Sequence, residues 1–153
     1  MSPEDYMREV VLPTVLEFRD DRRSRRKAYL ACIAVFHIKD HLKQAGEKSI
    51  EKDLRSVSGN TFELVRSVCN GTKHVSTDGS HAIAFTAGDD SDRPPAVAGK
   101  MTAGLSRVGD SHGGRSVQTP SGLRDIYVCV RELILEIKHQ YPTHFSSIDM
   151  VGL

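Results

Sequence analysis

Residues 22–45, RRSRRKAYLACIAVFHIKDHLKQA, decide the fold class. They contain no Gly or Pro, are rich in strong helix formers and run into Gly46, a natural C-terminal cap. The spacing predicts one long helix. Leu30, Ile33, Ala34, His37, His41 and Leu42 recur at three and four positions as a buried stripe does, and Cys32, Val35, Phe36 and Ile38 widen it. A helix apolar over so much of its circumference must be covered by other helices.

Working outward, Ser2-Pro3-Glu4-Asp5 combines a capping residue, a first-position proline and two first-turn acids, so a helix is predicted over residues 3–20, kinked or split by Pro13. On the other side Ser49 can cap a third stretch, which Gly59-Asn60 interrupts before residues 61–73 resume it. Leu123, Ile126, Val130, Leu133, Ile134 and Ile137 define a last amphipathic helix over residues 123–140, ended before Pro142. Residues 75–122 differ, holding eight of the 12 glycines together with Pro94, Pro95 and Pro120. Weak alternation over 82–86 could pair with 115–118, which predicts a small hairpin with a mobile tip over 88–114. The expected architecture is mainly all-α: an antiparallel four-helix bundle with a small β-hairpin, flexible insertion before the last helix, in a single domain spanning 1–153.

Composition narrows the function classes. The 153 residues suit one core, with 39% hydrophobic and 27% charged residues, and no apolar run approaches the roughly 20 residues of a membrane span. The acidic start lacks the basic and apolar regions of a secretory signal, which predicts a cytoplasmic protein. Cys32, Cys69 and Cys129 form no CxxC pair and read as reduced, buried thiols. With 21 basic against 20 acidic residues the formal charge is +1, so any basic site must be local.

Three constellations could carry chemistry. Arg66, Asn70 and His74 stand at i, i+4 and i+8 beside Lys73, forming one polar stripe next to Val65, Val68 and Cys69. A guanidinium, an amide, an imidazole and an ammonium on one face suffice for phosphodiester cleavage without a metal. The same residues also suit a solvated helix end, with Asn70-Gly71 fraying it. His37 and His41, again i, i+4, could ligate a metal if His74 or His139 came near, or be hydrogen-bonded core residues. Six basic residues between Arg19 and Lys27, interleaved with Asp20 and Asp21, offer Arg22, Arg23 and Arg26 as phosphate contacts or form a salt-bridged turn. His112 and Gly113-Gly114 in the insertion have no phosphate-loop spacing, so a flexible flap is expected there.

The phrase Val65-Arg66-Ser67-Val68-Cys69-Asn70-Gly71-Thr72-Lys73-His74 resembles the closing motif of HEPN-like helical bundles, in particular small bacterial members whose third helix ends in Asn-x-x-Lys-His before an irregular segment and a last helix. The resemblance implies an Arg, a polar residue and a His acting as a metal-independent ribonuclease site across a dimer. Asn70 and His74 match the polar residue and the His; Cys69 stands at the Arg position, and Arg66 lies one turn earlier, roughly 12 Å of helical rise from His74. On this reading His74, Asn70 and Arg66 are catalytic, Lys73, Arg22, Arg23 and Arg26 bind substrate, no cofactor is needed, and the partners are a second copy of the chain and RNA or a nucleotide. The alternatives are a catalytically inert dimeric interaction module with a protein partner and a metal-binding bundle using His37 and His41.

Overall fold

The computed structural model describes residues 1–73 and 83–153. The chain is mainly helical and carries a small three-stranded antiparallel sheet. It opens with α1 (Pro3–Tyr6), a π-helical turn (Met7–Val11) and α2 (Leu12–Asp20), which run on without a break. Ser2 accepts the Asp5 amide at 3.0 Å, the cap expected from the sequence. Pro13 neither splits nor ends the helix. The turn before it widens, with the Leu12 N–H donating to the Met7 carbonyl, and this makes room for the pyrrolidine ring against the preceding turn.

The long helix α3 (Arg25–Gln44) starts three residues later than expected, because the Ser24 hydroxyl accepts the Lys27 amide. Arg22 and Arg23 therefore lie in a turn. The helix ends at Gly46, whose φ of +100° lets Glu47 donate back to the Leu42 carbonyl and Gly46 to Lys43. Its buried stripe is rotated from the expected one. Ala34, Leu42 and the widening residues Cys32, Val35, Phe36 and Ile38 are buried as expected, and Ala28 and Ala31 join them, while Leu30 is exposed and Ile33, His37 and His41 sit at the edge. Both rows have helical spacing, but the buried one contains no imidazole to desolvate.

Two consecutive helices follow, α4 (Ile50–Ser58) and α5 (Asn60–Lys73), separated at Gly59 (φ +48°, ψ −123°). The Ser49 side chain does not cap α4: the residue is left-handed (φ 59°), and its carbonyl accepts the Asp53 amide. The sheet has the order β1 (Ser91–Arg93), β2 (Gly114–Thr119), β3 (Gly122–Asp125). Strand β1 pairs with β2, in the register Ser91↔Ser116 and Arg93↔Gly114, in place of the expected stretch 82–86, of which residue 82 lies outside the described residues. Residues 83–86 form no strand; Ile83 and Phe85 are buried anchors instead, with Phe85 edge-on to Tyr29. The last long helix, α6 (Ile126–Gln140), begins after Asp125, which caps it through the Val128 amide at 3.1 Å, so residues 123–125, expected inside the helix, are strand and Leu123 is exposed. A short α7 (Pro142–Phe145) follows.

Helix α3 packs against α2, α5 and α6, and α6 also against α2, α5 and β2. One continuous core fills this space, with Phe18, Leu64, Val68, Ile126, Val130 and Ile134 at its centre. No helix among the described residues is long and apolar enough to cross a membrane.

Candidate functional site

Helix α5 runs unbroken to Lys73 and does not fray at Asn70-Gly71. Gly71 is buried, and a Cβ there would stand 2.5 Å from the Phe85 carbonyl, so the glycine is required by close packing. Arg66 and Asn70 lie at the half-buried edge of the helix. The Arg66 guanidinium donates to Glu63 at 3.3 Å, and Glu63 also accepts Arg55 at 2.6 Å. Cys69, at the motif's Arg position, is fully buried. The Lys73 side chain and His74 lie outside the described residues. Burial pushes the Cys129 thiol up to about 11 and the Cys32 thiol well above its ordinary value, so both stay protonated at neutral pH.

His37 and His41 are engaged elsewhere. His37 Nδ1 lies 2.6 Å from Asp40; the His41 ring stacks on Tyr6 at 3.9 Å, with Nδ1 3.2 Å from the Met1 carbonyl. Among the described residues no group of three or more His, Cys, Asp or Glu could hold a metal ion.

The basic turn between α2 and α3 is mostly a set of ties to the insertion. Arg23 makes two hydrogen bonds to Asp92 (2.9 and 2.5 Å), Arg25 reaches Asp90 at 3.0 Å and Arg22 reaches Asp125 at 3.0 Å. The Arg22 carbonyl accepts the Arg115 amide of β2 at 2.9 Å, which joins the turn to the sheet. Arg26 is exposed, with no ion pair among the described residues. The insertion supplies the matching charges. Arg93 spans Asp110 (2.8 Å) and Asp125 (2.7 Å), and Arg115 bonds to Asp90, whose side chain is wholly buried. Although burial alone would raise it, the hydrogen bonds from Tyr29 and Arg115 hold the Asp90 carboxyl below its ordinary value. The same burial, with Asp90 as acceptor, pushes the Tyr29 phenol up to about 12 and keeps it a donor. Burial is likewise outweighed at Asp110, by the His112 and Gly113 amides and by Arg93. The sequence signal for this cluster is Asp89-Asp90-Ser91-Asp92 set against the Arg-rich turn.

Two neighbouring clefts open on this cluster. One, of about 350 Å³, is lined by Arg22, Arg93, Arg107, Asp110, His112 and Asp125 among others; the second, of about 430 Å³, by Arg19, Asp20, Arg22, His112 and Tyr127. Arg22 and His112 belong to both. The Arg22 side chain is only 15% exposed and makes one hydrogen bond among the described residues, to Asp125, while its guanidinium lies 4.8 Å above the Tyr127 ring. Its Nε is buried without a partner among the described residues. A guanidinium has five N–H donors, so Arg22 retains capacity for an acceptor in the clefts. Arg107 is exposed and has no side-chain partner among the described residues. The insertion, expected as a mobile flap, supplies Arg93, Arg107, Asp110 and His112 to the walls of these clefts. No protein-family model, curated protein or solved structure matches this chain.

Proposed function

We propose that this chain is an RNA- or nucleotide-binding protein, a HEPN-like antiparallel four-helix bundle acting as a homodimer, in which the turn before α3 engages phosphate. The observation that carries this reading is Arg22: a largely buried guanidinium with a single hydrogen bond among the described residues, set in the wall of two clefts that also present Arg19, Arg93, Arg107 and His112. Of these three candidate phosphate contacts, Arg22 is therefore the leading one; Arg23 is committed to Asp92, and Arg26, on α3, has no ion pair among the described residues and does not line the clefts. In the same proposal the end of α5 supplies metal-independent ribonuclease chemistry, with His74 as acid–base residue, Asn70 orienting the substrate and Arg66 or Lys73 holding phosphate.

A second reading has its own support. Full burial of Cys69 at the motif's Arg position, with Arg66 tied to Glu63, favours a catalytically inert interaction module. One set of assays separates the two. Fluorescence anisotropy with a labelled RNA 12-mer, repeated at rising salt, is expected to give saturable, salt-sensitive binding that Arg22→Gln weakens about tenfold or more. RNA cleavage that resists EDTA and disappears in His74→Ala supports the ribonuclease; binding without cleavage confines the protein to recognition. Absence of binding to RNA and to nucleotides would overturn the proposal in favour of the interaction module.

A further inference from the structure

We infer that the clefts around Arg22 select a terminal phosphomonoester, as on a nucleoside monophosphate or the phosphorylated end of an RNA chain, and not the internal phosphodiesters of a strand. This rests on the nucleotide- or RNA-binding reading above and specifies the ligand class of that site. The charge inventory is the main argument. Arg19, Arg22, Arg93 and Arg107 face Asp20, Asp110 and Asp125, which leaves one surplus positive charge before any contribution from His112. A strand drawn through the clefts would bring one negative charge per nucleotide past Asp20 and Asp110, with a single surplus charge to meet them. A monoester, close to doubly charged at neutral pH and with three acceptor oxygens, concentrates its charge in one place, and a single cleft is lined by both Arg22, with its unused donors, and Arg107.

The aromatic group at the site argues the same way. Tyr127 is 8% exposed, and the Arg22 guanidinium already covers a ring face, so no open platform is left for a base to stack on. Recognition falls on the phosphate, and the base is read weakly. The ligand also bridges two parts of the fold, for Arg22 belongs to the turn before α3 while Arg93, Arg107 and His112 belong to the insertion. Binding therefore stabilises the insertion against the helices.

The test measures affinity by calorimetry and anisotropy for AMP, GMP, UMP, adenosine, inorganic phosphate, and one RNA hexamer with either a 5′-phosphate or a 5′-hydroxyl. The monophosphates and the 5′-phosphorylated RNA are expected to bind about tenfold or more tighter than adenosine and the 5′-hydroxyl RNA, and the three nucleotides to agree within about threefold. Binding of inorganic phosphate and monophosphates without the phosphorylated RNA would identify a free nucleotide as the ligand source; binding of both identifies the shared terminus. Arg22→Gln and Arg107→Gln are each expected to remove most of the preference, whereas Lys43→Gln, on α3 away from the clefts, leaves it intact. Arg107 has no partner to lose, so that variant tests the site even if Arg22→Gln fails to fold. Equal affinity for the two RNA ends, reduced equally by Arg107→Gln, overturns the terminal-phosphate inference and leaves RNA binding standing. No binding by any ligand overturns both.

Discussion

Asp90 shows what a single buried carboxylate does in this fold. Its side chain has no exposed surface and accepts the Tyr29 hydroxyl at 2.5 Å, the Arg115 guanidinium and the Arg25 guanidinium. Those partners hold its ionisation below the ordinary value of 3.8 against the opposing effect of burial. An unfolded chain titrates near that ordinary value, so the stabilisation is fully present above it and is lost as the pH falls through the lower folded value. Asp90→Asn keeps the shape and removes the charge, leaving the buried Arg115 with only the more distant Asp92 carboxylate, at 3.9 Å. It is expected to cost about 3 kcal/mol or more at pH 7, and to lose less further stability than the wild type between pH 5 and pH 2. Urea melts at pH 7, 4 and 3 measure both effects; parallel pH curves for the two proteins would remove Asp90 from the acid response. None of these partners is visible from local sequence, since Tyr29 and Arg115 are 61 and 25 positions from Asp90.

Among the elements, α6 is the one whose pattern translates most directly into packing. Ile126, Val130, Leu133, Ile134 and Ile137 are all at 1% exposure or less, the row that their spacing marks. Ile126→Ala and Val130→Ala are each expected to destabilise by about 1 to 4 kcal/mol, and Leu123→Ala, 49% exposed on β3, by less than about 0.5 kcal/mol. Denaturant midpoints decide this, and a Leu123→Ala loss as large as the other two would mean that the helix face is misplaced. Helix α3 is less transparent. Two adjacent rows of its surface have helical spacing, and a rotation of about 100° separates them. The row holding Ala31, Val35, Ile38 and Leu42 is buried because α2, α5 and α6 close over it, and His37 and His41 are left at the rim, where Asp40 and Tyr6 engage them.

Across the whole molecule, the insertion is held by charge where it lacks apolar mass. Asp90, Asp92, Arg93, Arg115 and Asp125 connect β1, β2 and the cap of α6 to the turn before α3. Hydrogen exchange is therefore expected to be slow at the β1–β2 ladder and in β2, and fast across residues 98–109, where most side chains are exposed. Raising the salt should narrow the contrast little, since the pairs Arg22–Asp125, Arg93–Asp125 and Arg115–Asp90 are buried and poorly screened, whereas the exposed Arg23–Asp92 pair is weakened. Uniformly fast exchange from residue 88 to residue 119 would restore a fully mobile flap and leave the cleft without a fixed wall.

What the sequence determined by itself was local. Helix formers without Gly or Pro, caps at Ser2 and Gly46, the α6 periodicity and the break at Gly59 specify helices because each depends on residues within a turn or two. The Asn70–Lys73 phrase and the Arg-rich turn were legible as candidate chemistry for the same reason. The tertiary structure alone decided which row of α3 is buried, which segment pairs with β2, and that Gly71 is needed beneath Phe85. It also decided that Arg23 and Arg25 are consumed by aspartates of the insertion while Arg22 keeps donors in reserve. These outcomes turn on contacts between residues tens of positions apart, where desolvation and charge pairing select among arrangements that local propensity leaves equal.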